Sequence, residues 1–308
     1  MIRFLAKNRY AVSSSLALAT IISIGFTQPK WASLVELNTE ANAKDPKAMW
    51  IPPPRQELLQ KLKENSDSAL ESNVFDVLII GGGATGTGCA LDAATRGLKT
   101  ALVERDDFSC GTSSRSTKLV HGGVRYLEKA FLELDWEQYK LVREALHERS
   151  VFMKIAPYLA YEMPIMLPIH QWWKVPYYYV GAKAYDLLAG SQGLTSSYYM
   201  SKANALEVFP MLKPDNLKGA IVYYDGAHND SRMNVAIALT AIQHGAVVAN
   251  HVEVVELLKT PRTTLLGRHG FGKDQLYAAR VRDTLTGETW IIKARGIINA
   301  TGPFCGNL

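Results

Sequence analysis

Gly81-Gly-Gly-Ala-Thr-Gly86 is a Gly-x-Gly-x-x-Gly turn between two apolar runs, Val77 to Ile80 and Thr100 to Val103, the second ending on Glu104. Such a stretch can hold a dinucleotide. Gly81 lets the chain turn sharply off a strand, the bare backbone at Gly82 and Gly83 admits a pyrophosphate, and Gly86 lets the next helix pack closely. A helix is expected over 84–96, with Ala84 and Thr85 in its first turn. Its unpaired N–H groups and positive dipole end would meet the phosphates. Gly97 suits its C-terminal stop. Glu104 follows at roughly the 20-residue separation of such motifs. Its carboxylate can accept hydrogen bonds from ribose hydroxyls and would repel a 2′-phosphate, which argues against NADP. The turn alone leaves FAD and NAD both open.

A second set lies downstream. The segment between Ser109 and Thr117 is dense in hydroxyl side chains, among them Thr112, Ser113 and Ser116, and His121-Gly122-Gly123-Val-Arg125-Tyr126 follows. This loop could cradle phosphate and bring N–H groups to a flavin ring. It could equally be a plain surface loop, and its composition does not choose.

The elements that position these residues read as α/β. An apolar run, a glycine turn, a helix and another apolar run describe strand, helix and parallel strand. A long helix is expected over Tyr126 to His147, on a partial stripe of Leu127, Phe131, Leu134, Leu141 and Leu146. Another is expected from Arg232 to His244, with Asn229 or Asp230 as N-cap. Ala246 to Ala249 and Val252 to Leu258 read as a strand and its return around Asn250-His251. Tyr277 to Asp283 and Thr289 to Lys293 flank a turn at Thr286-Gly287, which predicts a hairpin. Gly296 to Gly302 reads as a strand ending in small residues, where Ala300 and Gly302 would let backbone lie against a pyrophosphate. A short helix is expected near Arg55 to Glu64.

At 308 residues, 47% hydrophobic and 20% charged, the chain is long enough for about two domains. A net charge of +5 does not suggest nucleic acid, and basic residues near the site would suit an anionic substrate or an acidic membrane surface. Cys89, Cys110 and Cys305 are odd in number and scattered, which argues against a disulfide framework. No Cys/His cluster has metal-ligand spacing, so no metal is expected.

Residues 1–35 carry Arg3, Lys7, Arg9 and Lys30 and no acid, with many serines and alanines. That composition predicts a mitochondrial presequence, with a secretory signal as the rival. The apolar run from Ala11 to Phe26 is shorter than the ~20 residues that span a bilayer. Residues 36–74 read as a linker containing Ile51-Pro52-Pro53-Pro54. His170-Gln-Trp-Trp-Lys-Val-Pro-Tyr-Tyr-Tyr-Val180 is crowded with aromatics beside Lys174 and Lys183, and a short amphipathic helix is expected from Val180 to Leu188. Membrane docking and a buried core or subunit contact both fit this segment.

Gly81–Gly86, Glu104, the Gly111-Thr-Ser-Ser-Arg-Ser-Thr-Lys-Leu-Val-His-Gly-Gly-Val-Arg-Tyr126 segment and Asn299-Ala-Thr-Gly-Pro303 together resemble the FAD-dependent glycerol-3-phosphate dehydrogenases. With the basic N-terminus they resemble the mitochondrial branch. The resemblance runs from about Phe75 to Phe304, and the His-Gly-Gly-Val-Arg-Tyr motif is its most specific part. It implies a Rossmann-like FAD-binding domain of the amino-acid-oxidase/glutathione-reductase type over 75–125 and 245–308. A substrate and membrane-facing insertion would occupy 126–244.

The implied reaction oxidises sn-glycerol 3-phosphate at C2 to dihydroxyacetone phosphate, with FAD as hydride acceptor and ubiquinone as electron acceptor. Arg125 and Tyr126 would line the substrate site, Arg125 holding the phosphate through charge-assisted bonds. A salt bridge from Arg125 to Glu128 or Glu133 is the alternative. His121 would act as a base or order the loop beside the flavin. Gly122 would approach the flavin, and backbone near Val254 would reach the adenine. Asp225, His228 and Asp230 would stand near the active site. The implied partners are glycerol 3-phosphate, ubiquinone and the mitochondrial inner-membrane surface, on its intermembrane-space face, with a homodimer as a further expectation.

The family's fold continues past the Asn-Ala-Thr-Gly turn, whereas this sequence stops at Leu308 and has no Asp-rich calcium loop. It is therefore expected to be an N-terminal part or shortened form, with apolar faces left uncovered. A non-catalytic short form and another FAD oxidoreductase, such as an amino-acid oxidase, remain the alternative functions.

Overall fold

The computed structural model describes residues 50–67, 74–260 and 275–307. The expected presequence, residues 36–49 and 68–73 of the expected linker, and residues 261–274 lie outside them; residues 55–67 of that linker form a helix that places Leu59 and Leu62 in the core. The chain divides into two units, Met1–Pro54 and Arg55–Leu308. Of the first, residues 50–54 are described and have no regular secondary structure.

The second unit contains seven described α-helices: α1 (Arg55–Asp67), α2 (Ala84–Thr95), α3 (Val124–Leu132), α4 (Trp136–Ile155), α5 (Lys174–Ala189), α6 (Lys202–Val208) and α7 (Asp230–Gln243). Its strands are β1 (Phe75–Ile80), β2 (Thr100–Val103), β3 (Leu119–Val120), β4 (Ala160–Ile169), β5 (Tyr198–Met200), β6 (Gly219–His228), β7 (Val247–Ala249), β8 (Val252–Thr260), β9 (Gln275–Asp283) and β10 (Thr289–Asn299).

The larger sheet runs β7-β2-β1-β10-β9-β8. β7, β2, β1 and the second half of β10 are parallel, while β8, β9 and the first half of β10 form an antiparallel meander. Alternate residues of a strand face opposite sides. Leu78 and Ile80 of β1, with Ala101 and Val103 of β2, pack against Val254, Val281 and Ile292 of the meander and Leu62 of α1. Val77, Ile79 and Leu102 face the other way, onto Ala90 and Ala94 of α2 and Ala241 of α7. Small residues on both helices let them lie close to the sheet. This is the Rossmann-like α/β architecture that the apolar runs predict.

β7 and β8 are not a strand and its return; they lie at opposite edges. Glu104 explains why. Its N–H donates to Ala249 O at 2.9 Å, and its carbonyl accepts from Val252 N at 2.7 Å. With His251 at φ 55°, the chain crosses over the end of β2 instead of folding back on β7.

In the smaller sheet, β6 pairs with β4 along one edge, and with β3 and β5 along the other. The single helix expected over 126–147 is two. Leu134 adopts φ 53°, and Asp135 caps α4 by accepting from Glu137 N at 2.9 Å and Gln138 N at 3.2 Å. That left-handed residue and its cap override the apolar period, and Leu134 is 88% exposed. Leu127, Val142 and Leu146 pack with Tyr185 and Ala189 of α5.

α5 is longer than expected, with Pro176 tolerated in its first turn. Tyr178 packs on Ile169, Ala182 and Ile221, while Trp172, Trp173, Tyr177, Tyr179 and Val180 are exposed. The aromatic segment is thus partly core and partly surface.

Candidate functional site

A cleft of about 890 Å³ opens at the carboxyl ends of β1 and β2. Gly81, Gly83, Ala84 and Thr85 form one wall, Glu104, Thr112 and Ser113 another, and Val254, Ala300 and Gly302 close the remaining sides. Ligands of open α/β sheets bind in this position.

The glycines are required by contact. Gly81 has φ +110°, and a Cβ there would lie 2.6 Å from Ala300 O; a Cβ on Gly86 would lie 1.9 Å from Gly81 O. Gly83 is the N-cap of α2 and brings no side chain to its first amides. The Ser113 hydroxyl instead accepts from Ala84 N at 2.9 Å.

The Gly82 peptide is held from three directions. Its N–H donates to Glu104 Oε2 at 2.6 Å. Its carbonyl accepts from Asn234 Nδ2 at 2.8 Å and from Ser109 N at 3.2 Å. Asn234 Oδ1 in turn accepts from Thr87 Oγ1 at 2.5 Å, linking α7 to α2. Glu104 Oε1 accepts from Asp106 N at 2.8 Å. A carboxylate has about four acceptor sites, so Glu104 keeps capacity for a ligand's hydroxyls. Ser109, at φ 65°, lines the cleft with a buried hydroxyl that has no partner among the described residues. A glycine turn with no room for a Cβ at Gly81 or Gly86, the N-terminal residues Ala84 and Thr85 of α2 lining the cleft and a spare carboxylate acceptor fit a dinucleotide.

The remaining predicted residues do not line this cleft. Ser116 donates from its N and Oγ to Asp230 Oδ2 at 3.1 and 2.7 Å, and Lys118 pairs with Asp230 Oδ1. Those bonds, led by that from Lys118, hold the Asp230 carboxyl well below the usual carboxylate range. Asn229, not Asp230, caps α7, its Oδ1 accepting from Arg232 N at 3.0 Å. Burial lowers the His228 pKa from its ordinary value, and its ring meets Phe152 edge-on at 4.9 Å. Asp225 is buried in an ion pair with Arg149 at 2.6 Å. Gly122 is buried, and its N–H donates to Tyr185 Oη at 3.0 Å rather than facing the cleft. His121 is exposed, Arg125 lies in the first turn of α3, and Tyr126 is half exposed beside Gly123.

The sequence reading missed several cleft residues, including Arg105, Ser109, Arg115 and Phe304. The Arg105 guanidinium lies 5.7 Å from the centre of the Phe304 ring. It also missed Asn234, whose one signal is a polar residue on the buried stripe of α7, between Met233 and Ala238.

Residues 76–308 match the family of FAD dependent oxidoreductases, and the chain belongs to that family. Within it, the mitochondrial glycerol-3-phosphate dehydrogenases are close relatives. The Bos taurus protein is 61% identical over 255 residues, 82% of this chain and 33% of its own length. The Homo sapiens protein is 60% identical over the same extent, and the Saccharomyces cerevisiae protein 53% over 238 residues, 77% of this chain and 35% of its own. The chain thus spans about a third of the length of these curated relatives. The glycerol-3-phosphate dehydrogenase from Bacillus halodurans, solved complexed with FAD, is 30% identical with a TM-score of 0.55, covering 81% of this chain and 37% of that one. Glycine oxidase from Geobacillus kaustophilus, 20% identical with a TM-score of 0.51 over 76% of this chain and 57% of its own, shares the fold.

Proposed function

We propose that this chain binds FAD in the cleft and serves the oxidation of sn-glycerol 3-phosphate to dihydroxyacetone phosphate. The observation that carries this reading is the cleft itself, in a chain 61% identical to a glycerol-3-phosphate dehydrogenase over 255 residues. The pyrophosphate would lie along Gly81–Gly86, Thr112, Ser113, Ala300 and Gly302. Glu104 would accept from the ribose, and Val254 would border the adenine. FAD, when bound, supplies hydride acceptance. The chain's own residues would orient it: the α2 dipole would face its negative charge, and Val252 and Val254 of the meander would border its adenine side. The boundaries expected from the sequence shift here: Ala241 of α7 packs on β1 and β2 and β3 pairs with β6, so 75–118 and 229–307 would form the cofactor domain and 119–228 the substrate-side insertion. Arg125 and Tyr126 would hold the substrate phosphate and polyol, with His121 at the same loop.

The purified 308-residue chain tests this reading directly. Flavin absorbance after FAD loading, bleached by glycerol 3-phosphate and coupled to dye reduction, is the expected result. Bound flavin that stays oxidised would favour a non-catalytic FAD-binding form, and bleaching by amino acids an oxidase of that class.

The reading extends to a quinone acceptor and to docking on the mitochondrial inner membrane. Among the described residues no helix is long and apolar enough to cross a membrane. Support for docking comes from exposed Trp172, Trp173, Tyr177 and Tyr179. Lys218, Lys174 and Lys183 lie 5.8, 5.3 and 5.7 Å from the rings of Trp172, Trp173 and Tyr179. Aromatic rings with neighbouring lysines suit the headgroup layer.

A further inference from the structure

Arg149 of α4, Tyr185 of α5 and Asp225 of β6 meet in the interior, the Arg149 and Asp225 side chains each 1% exposed. Asp225 Oδ1 accepts from Arg149 Nη1 at 2.6 Å, from Tyr185 Oη at 3.0 Å and from Gly122 N at 3.3 Å. The Tyr185 hydroxyl also accepts from Arg149 Nη1 at 3.2 Å and from Gly122 N at 3.0 Å. Burial and the Asp225 charge push the Tyr185 pKa up, so the hydroxyl stays protonated and keeps donating.

Burial of the trio is weak ground for a purely stabilising role. A buried ion pair is often no better than apolar residues of equal volume, and the neighbouring positions Val142, Leu146 and Ala189 are apolar. Arg149 Nε and Asp225 Oδ2 moreover have no partner among the described residues. What polar groups do here and apolar ones cannot is receive an N–H from outside the cluster, that of Gly122. A Cβ on Gly122 would lie 2.4 Å from Leu146 Cδ2 and 2.5 Å from Tyr185 Oη, so a larger residue would displace those side chains. One residue on, Gly123 at φ +78° turns the chain into α3, so the pinned peptide sits between His121 and the helix start bearing Arg125 and Tyr126.

We infer that Arg149, Tyr185 and Asp225 are positioning residues that fix the Gly122 peptide and, through it, the His121–Tyr126 segment. The catalytic consequence rests on the function proposed above; the structural one does not.

Tyr185→Phe in the full 308-residue chain is the test, because it removes the hydroxyl and leaves the Arg149–Asp225 pair. Deuterium uptake over 119–126 should quicken about tenfold while uptake over 75–95 stays unchanged, as local opening allows. With FAD loaded, flavin reduction at saturating glycerol 3-phosphate should slow about tenfold, a typical result of misplacement, with FAD affinity altered less than about threefold. The double variant Arg149→Met/Asp225→Leu, which keeps the volume without the charges, should loosen the same segment. A folded Tyr185→Phe chain with unchanged uptake over 119–126, or with uptake rising equally over 75–95, overturns the inference. If the parent chain takes up no FAD, the proposed function fails and deuterium uptake alone decides the positioning role.

Discussion

The carboxylate of Glu104 accepts the amide proton of Gly82 at 2.6 Å, so the acid that ends β2 is bonded to the centre of the glycine turn that ends β1. Glu104 shapes the glycine turn as well as lining the cleft. Glu104→Gln offers a single carbonyl where two amides, Gly82 and Asp106, now find separate oxygens. An amide left without an acceptor costs about 1–3 kcal/mol. FAD affinity, read by flavin fluorescence titration, should fall by roughly the corresponding factor, about 5- to 150-fold.

Gly86→Ala acts on the backbone itself. Its Cβ would meet the Gly81 carbonyl at 1.9 Å, and backbone cannot swing aside as a side chain can. Overpacking of this kind costs about 1–3 kcal/mol. The melting temperature should drop, and the chain should purify without flavin. Retention of flavin at parental stability would contradict the close approach.

Asn234 does not line the cleft, yet Asn234→Ala removes the side-chain donor from the Gly82 carbonyl and one partner of Thr87. Its effect should be a weaker hold on FAD, with a stability loss of about 0.5–1.5 kcal/mol per lost hydrogen bond, because Ser109 N still donates to the Gly82 carbonyl and Thr87 Oγ1 still reaches Gly83 O. Isothermal titration alongside urea unfolding separates the two effects.

His228 predicts a pH dependence. Burial depresses its pKa in the folded chain, so the unfolded chain takes up the proton first, near the ordinary value of about 6.5. The stability associated with the neutral ring is complete above that pH and is lost as pH falls towards the folded pKa. The urea midpoint should decline from pH 7.5 to 5.5, and His228→Phe should flatten that decline. A parallel slope in the variant would assign the decline to other groups.

Replacing Trp172, Trp173 and Tyr177 with serine should reduce co-sedimentation with anionic liposomes while leaving the melting temperature within about 2 °C, as for surface substitutions. Tyr178→Ser should lower stability instead, since that ring packs on Ile169 and Ile221. Undiminished liposome binding in the triple variant would remove the docking proposal.

The local features of the fold were legible in the sequence. The turn after β1, the α2 helix, the β9–β10 hairpin and the Ala300 turn are each specified by residues within a few positions. Long-range placement was not. Nothing near Asn250 announces that β8 crosses to the far edge, because the hydrogen bonds that carry it there belong to Glu104. The helix break at Leu134 depends on a cap that competes with a continuing apolar period. Gly122 shows the limit most sharply. Its glycine identity was readable, but the neighbours that require it, Leu146 and Tyr185, come from helices far along the chain.

β10 belongs to both parts of the larger sheet: Thr289 to Lys293 pair with β9, and Ala294 to Asn299 pair with β1. Val254 reaches the Ala300 turn through β9 and β10 alone along that path of paired strands. The walls that carry Val254 and Ala300 are therefore rungs on one ladder, and the gauge of the cleft is set where β10 changes partners between Lys293 and Ala294. A residue inserted within β10 at that point would slip one wall against the other by a register step.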